Sequence, residues 1–233
     1  MRNRLFRFAL LITPALFSQG LFAQITLLER DMSGVDQSTV TLTAGTLATN
    51  ISLTSPSSIL SRGTGAALPG GAGSNNFGAS GFDAASLAAA ITADDYFSFS
   101  ITASSGFTMS LTNLEFNMQR TTSGPTNAAV LPSTGGFSDG SEISSYTVST
   151  ATGGGDQSIV LSGMTNLSGS VEFRIYGWGG GSGTTDKFRF RNLSSGDLEI
   201  TGTTASAVPE PASFAGMMGV FVLGFISVRR RRR

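Results

Sequence analysis

Runs in which every second residue is apolar, with Ser, Thr or charged residues between, set the tightest limit on what this chain can fold into. In residues 96–102, Phe97, Phe99 and Ile101 fall on one side of an extended backbone, and Ser98, Ser100 and Thr102 on the other. Strand side chains alternate between faces, so such a segment buries one face and wets the other. Residues 170–176, 187–191 and 197–201 alternate in the same way. Residues 108–119 alternate in two phases, Met109 and Leu111 first, then Leu114, Phe116 and Met118. The slip at Asn113 implies a bulge or a turn between two short strands. Weaker strands are expected at 25–29, 39–43, 128–131, 146–149 and 158–161. One short helix is expected at 83–91, where Ala84, Ala85, Leu87, Ala88, Ala89 and Ala90 have good propensity. Many short strands with Gly, Ser and Asn turns point to an all-β fold, an antiparallel β-sandwich of jelly-roll-like form spanning residues 24–204.

Composition excludes several chemistries. With no Cys there is no disulfide framework, thiol catalysis or Cys-ligated metal. With no His, the usual general base near neutral pH and the Ser-His-Asp triad are both missing. The 15 basic and 15 acidic residues cancel in total but not in place. Arg2, Arg4 and Arg7 open the chain and Arg229, Arg230, Arg231, Arg232 and Arg233 close it. The body between holds seven basic residues against fifteen acids. An acidic middle between two basic ends points to export.

Residues 1–23 read as a secretory signal peptide. The three arginines form its positive region, residues 8–17 its apolar region, and Leu21-Phe-Ala23 a cleavage site before Gln24. The expected route is the general secretory translocon followed by signal peptidase. Residues 205–233 carry the second signal. Val208-Pro209-Glu210-Pro211 must be extended, because two prolines cannot both join a helix or a ladder. Residues 212–228 are uncharged and apolar. At about 1.5 Å per residue they fall slightly short of a bilayer core of about 30 Å, a gap that snorkelling arginines close. The five terminal arginines then lie in the cytoplasm and the body across the membrane.

The order Pro-Glu-Pro, one apolar helix and a terminal arginine cluster resembles the PEP-CTERM sorting signal. That resemblance implies an exported protein of a Gram-negative, exopolysaccharide-producing bacterium. It also implies processing at the motif by an exosortase, a membrane-embedded transpeptidase-like enzyme. Ser61-Arg62-Gly63, Asp95-Tyr96-Phe97, Ser123-Gly124-Pro125 and the segment from Phe173 to Gly177 are similar to a module common in PEP-CTERM ectodomains. The wider likeness implies a β-sandwich surface protein with no established activity. Leu131-Pro-Ser-Thr-Gly135 matches the LPxTG pattern of Gram-positive sortases, but no apolar helix follows it, so it reads as a surface turn.

For the sandwich, carbohydrate binding is the sharpest positive expectation. Tyr176 and Trp178 flank Gly177 and lead into a glycine-rich loop, residues 179–183, expected to be flexible. Alternation puts Arg174 and Tyr176 opposite Val171, Phe173 and Ile175, which favours an exposed Tyr176. The competing reading has Trp178 covering one end of the core. No catalytic residue is assigned. Asp94, Asp95, Glu115, Asp139, Glu142 and Glu172 are available for glycoside hydrolysis, yet no spacing singles out a pair. No cofactor is expected. Asp139-Gly-Ser-Glu142 and Gly153-Gly-Gly-Asp-Gln157 offer oxygens to a structural Ca²⁺ without an EF-hand pattern. Nucleic acid is not expected as a partner, because the body is acidic. The sequence thus points to a non-catalytic surface or matrix sandwich associated with exopolysaccharide. The alternative is a permanently anchored envelope protein whose ectodomain binds carbohydrate or protein.

Overall fold

The computed structural model describes residues 23–40, 42, 45–53, 60–150, 154–192 and 197–207. The described strands are β1 (Ile25–Arg30), β2 (Thr46–Leu47), β3 (Ile51–Ser52), β4 (Ser61–Arg62) and β5 (Asn76–Ala79). After helix α1 (Leu87–Ala93) come β6 (Tyr96–Ala103), β7 (Phe107–Arg120), β8 (Asn127–Pro132) and β9 (Ser144–Thr147). The series ends with β10 (Gly155–Val160), β11 (Ser170–Trp178), β12 (Phe188–Arg191) and β13 (Leu198–Ser206). All pairings are antiparallel and fall into two sheets, consistent with an all-β sandwich. The first sheet runs β2-β1-β13-β7-β12-β5 with β10 also on β7, and the second runs β3-β6-β11-β8-β9 with β4 also on β6.

β7 organises the first sheet. Its residues 113–116 pair with β10 and β13 at once, so those strands occupy opposite edges. Met118 pairs with both Gly155 and Phe190, which puts β12 on the same edge as β13, end to end. The phase slip near Asn113 is a bulge within one long strand. Asn113 pairs with Thr201 and Leu111 with Gly202, leaving Thr112 as the extra residue. One added residue returns both apolar sets to the core face. Gly202 is required there, since a Cβ on it would lie 2.1 Å from the Ser110 carbonyl oxygen.

The core is the set of inward alternating residues. Phe97, Phe173, Phe188 and Phe190 are fully buried, as are Leu114, Ile101 and Ile175. Phe97 on β6 reaches across to the other sheet, with ring centroids 5.8 Å from Phe77, 5.4 Å from Phe188 and 5.4 Å from Phe190. Phe82, in the loop before α1, adds a fourth neighbour at 5.6 Å.

Three expectations are corrected. The helix begins at Leu87, four residues later than the alanine run suggests, because Ser86 caps it by accepting from the Ala89 N–H at 3.3 Å. Asp94, in the left-handed region at φ 59°, ends it through its own N–H. Residues 39–43 form no strand among the described residues: Leu42 makes a single bridge to Leu60. Arg62 takes the carbonyls that a ladder would use, donating to Thr39 at 2.6 Å, Val40 at 3.1 Å and Gln37 at 2.8 Å. Its Nε also donates to Gly78 at 2.7 Å, tying the segment to β5, while its guanidinium lies 4.0 Å from the Phe77 ring centroid. Burial pulls the Arg62 pKa down to about 10, still charged at neutral pH. Finally, the strand expected at residues 197–201 continues to Ser206 as β13.

Replacing Phe97 by Ala removes the ring that four others surround. Urea unfolding is expected to show a loss of about 3–5 kcal/mol, whereas Ser98→Ala, on the opposite face of the same strand, changes stability by less than about 1 kcal/mol.

Candidate functional site

Two polar faces of the sandwich hold the groups able to meet a ligand. On the outer face of the second sheet, β11 presents Glu172, Arg174, Tyr176 and Trp178 beside Tyr96 of β6. Tyr176 does lie opposite Val171, Phe173 and Ile175, but it is 0% exposed. The expectation of an exposed Tyr176 is therefore corrected. Helix α1 covers it, and Tyr176 packs in a second small core with Leu87, Ala90, Ala129 and Leu131. Its ring meets Tyr96 edge-on at 5.2 Å. Burial pushes its phenol above the ordinary value, further than the Arg174 hydrogen bond lowers it. Trp178 is half-buried at the margin of the same cluster.

The glycine loop beyond Trp178 is tied down. Gly179 N–H donates to Ala84 at 2.8 Å, Gly180 to Phe82 at 3.0 Å and Gly181 to Ser123 at 2.8 Å. A Cβ on Gly180 would fall 2.8 Å from the Pro125 nitrogen, and one on Gly181 2.2 Å from Asp186 Oδ2. These glycines serve close approach of backbones. Asp186 accepts from the Ser123 hydroxyl and from the Gly183 N–H, which together hold its carboxyl below the usual range.

Arg174 is held between rings, 4.3 Å from the Tyr96 centroid and 4.0 Å from that of Phe137. It pairs with Glu172 at 2.8 Å and donates to the Tyr176 hydroxyl at 3.4 Å. The segment Leu131–Gly135, expected to be a surface turn, is corrected in part: Leu131 and Pro132 end β8 and are buried, and Phe137 follows the short turn after them. A single 3-10 turn, Ser133–Gly135, is followed by Gly136 at φ 71° and Phe137 at φ 53°, two successive left-handed residues that aim the ring at Arg174.

The remaining acids are dispersed. Asp94 and Asp95 come together with Asp83 beside the loop at Gly63 and Gly65. Asp94 accepts from the Thr64 hydroxyl at 3.0 Å. Asp95 is 2% exposed, and no hydrogen bond reaches its carboxyl among the described residues. A Cβ on Gly65 would lie 2.2 Å from Asp95 Oδ1, so glycine is what admits this carboxyl. Burial first, then the charges of Asp83 and Asp94, push its pKa up to about 6. Glu115 sits on the outer face of the first sheet directly opposite Glu199. Like charges so placed repel, and each is bound by neighbours: Asn113 to Glu115 at 2.7 Å, Thr26 to Glu199 at 2.6 Å. Glu142 folds back onto the Gly140 N–H at 2.8 Å. Asp156 accepts from Asn117 at 2.7 Å. Gly153, of the second suggested Ca²⁺ segment, lies outside the described residues. Among the described residues no group of three or more acids is arranged to hold a metal ion. A shallow groove of about 270 Å³ opens beside Pro132, Thr134, Ile143 and Met164, and its lining carries no acid or aromatic side chain.

The second polar face was missed in the sequence. In residues 187–191 the alternation that buries Phe188 and Phe190 turns Lys187, Arg189 and Arg191 outward together. The signal was present in those five residues as a cation at every second position.

Val208, Pro209, Glu210 and Pro211, the apolar residues 212–228 and Arg229–Arg233 lie outside the described residues, as do residues 1–22. Among the described residues no helix is long and apolar enough to cross a membrane. No family model matches the chain, and no curated protein or solved structure matches it.

Because Asp95 has a folded pKa raised above its ordinary value of 3.8, the fold binds its proton more tightly than the unfolded chain does. Its contribution therefore falls as pH rises from about 4 to about 6 and is constant above that. Asp95→Asn is expected to raise stability at pH 7 by about 1–3 kcal/mol. That gain should shrink to nothing toward pH 4 when unfolding curves are taken across the range.

Proposed function

We propose that this chain is an exported β-sandwich, jelly-roll-like in its repeated crossings between sheets, which works as a non-catalytic module at the cell surface or in the extracellular matrix. In this reading residues 1–23 direct export, residues 212–228 hold the precursor in the inner membrane, and Pro209-Glu210-Pro211 is read by an exosortase-type processing enzyme. The mature protein then associates with exopolysaccharide.

The observation that carries the reading is where the fold is secured relative to the motif. β13 pairs with β7 through Ser206, and the Ala207 N–H donates to the Gly106 carbonyl at 2.8 Å. Val208 is the next residue. A processing enzyme cutting at the motif would leave every ladder among the described residues intact. The other end supports the reading in the same way. β1 starts at Ile25, and Gln24 donates to the Thr201 hydroxyl at 2.6 Å, so removal of a leader after Ala23 would leave the described strands intact. The non-catalytic part of the proposal is supported by the acids, which are mostly engaged in local hydrogen bonds and caps.

The test is the intact mass of the mature protein from its native host. The expected chain starts at Gln24 and ends near Val208–Pro211. A chain running through Arg233 would contradict processing and leave a permanently anchored envelope protein.

A further inference from the structure

Seven basic residues lie in the body of the chain, and the structure uses four of them internally. Arg62 is spent on backbone carbonyls, and so is Arg120, which donates to Val148 at 3.1 Å and Thr122 at 2.6 Å. Arg174 is taken by Glu172 and two rings. Arg30 is also engaged. The other three are Lys187, Arg189 and Arg191, which stand in one row on the outer face of the first sheet.

Neither the Arg189 nor the Arg191 side chain makes a hydrogen bond or ion pair among the described residues, and the Nε of each is buried without a partner. Lys187 makes one contact, donating to Gln37 Oε1 at 3.3 Å. The neighbouring strands place no charge directly opposite the two arginines, and their amides Asn76 and Gln119 are buried. Arg191 lies opposite Asn76 of β5, and Arg189 opposite Gln119 of β7 and Gly78 of β5. Gly78 is buried against the row, where a Cβ would fall 3.2 Å from the Cβ of Arg189. The acids nearest in the sheet are occupied elsewhere: Asp156 by Asn117, and Asp197 by the Met32 N–H. Burial lowers the pKa of both Lys187 and Arg189, and the next cation along the row lowers each further. Like charges are thus packed together, partly desolvated and unneutralised on an otherwise acidic body.

From this placement we infer that the β12 face binds a linear acidic polysaccharide, with Arg189 and Arg191 on its carboxylates. The inference rests on the surface-protein reading above and narrows its ligand. Alternate residues of a strand are about 7 Å apart, a spacing that suits a polymer charged once per sugar or per repeat. Duplex DNA carries a charge every ~1.7 Å, and a body with eight excess negative charges repels it. Planar guanidinium forks suit carboxylates. Aromatic stacking has no part at this face, so neutral glycans gain little from it.

The experiment is binding of the full-length protein, in detergent, to polygalacturonate, with dextran as the neutral control and duplex DNA as the competing polyanion. The expected result is saturable, salt-weakened binding to polygalacturonate and none to dextran. The double change Arg189→Gln and Arg191→Gln should weaken binding about tenfold or more, and Arg189→Lys with Arg191→Lys, which keeps the charge but loses the fork, should weaken it less. Thermal midpoints of all variants establish that they are folded. Equal binding by the glutamine pair, or tighter binding to duplex DNA, would overturn the inference. Absence of polygalacturonate binding by a protein whose tail is processed would sink this inference alone, while an intact tail on a protein that binds would sink only the processing scheme.

Discussion

Phe97 lies where the two sheets meet, with four phenylalanine rings 5.4–5.8 Å from its own. With no cysteine and hence no disulfide to staple it, the sandwich depends on this cross-sheet packing. Phe97 also fixes register. It pairs with Arg62 on one side and Ile175 on the other, so its inward position commits β6 and β11 to a single alternation. A slip of one residue in either strand would turn Ser98 or Arg174 into the core. The outward faces follow from the same commitment. The Arg174 cluster stands on the second sheet because Phe173 and Ile175 point in, and the β12 row stands on the first because Phe188 and Phe190 do.

Charge is distributed by the same logic. An acidic body can keep unpaired acids at its surface, where water solvates them. Its few cations are more telling, because each one engaged internally is tied to a specific structural task. Arg62 and Arg120 stabilise irregular backbone that has no ladder, and Arg174 fastens the 133–137 segment to β11. The row on β12 has no such task, and its cost in mutual repulsion is what calls for a ligand.

Much of this was legible in the sequence where one face is wet and the other dry. The strands at β6, β11, β12 and β13 stand out because Phe and Ile alternate with Ser, Thr or charge. β5 was not legible, since Asn76, Phe77, Gly78 and Ala79 are all buried and show no alternation. The place of Tyr176 was half legible: its face was right, but a helix distant in sequence covers it. Nothing local reports that cover. Phe137 was missed for a related reason, its ring being aimed by two left-handed residues inside a segment that resembles an ordinary turn. The basic row was written in residues 187–191, but it gains meaning only once the other four cations are seen to be occupied.

The basic row exists only if β12 turns Phe188 and Phe190 inward, and a chain without cysteine allows that to be measured directly. Single cysteines at positions 189 and 191, and one replacing Ala79, the fully buried residue opposite Phe188, would be labelled with a thiol reagent under native conditions. The expected result is rapid labelling at 189 and 191 and strong protection at 79. Protection at 189 and 191 with rapid labelling at 79 would contradict the assignment of the two faces, and with it the basic row.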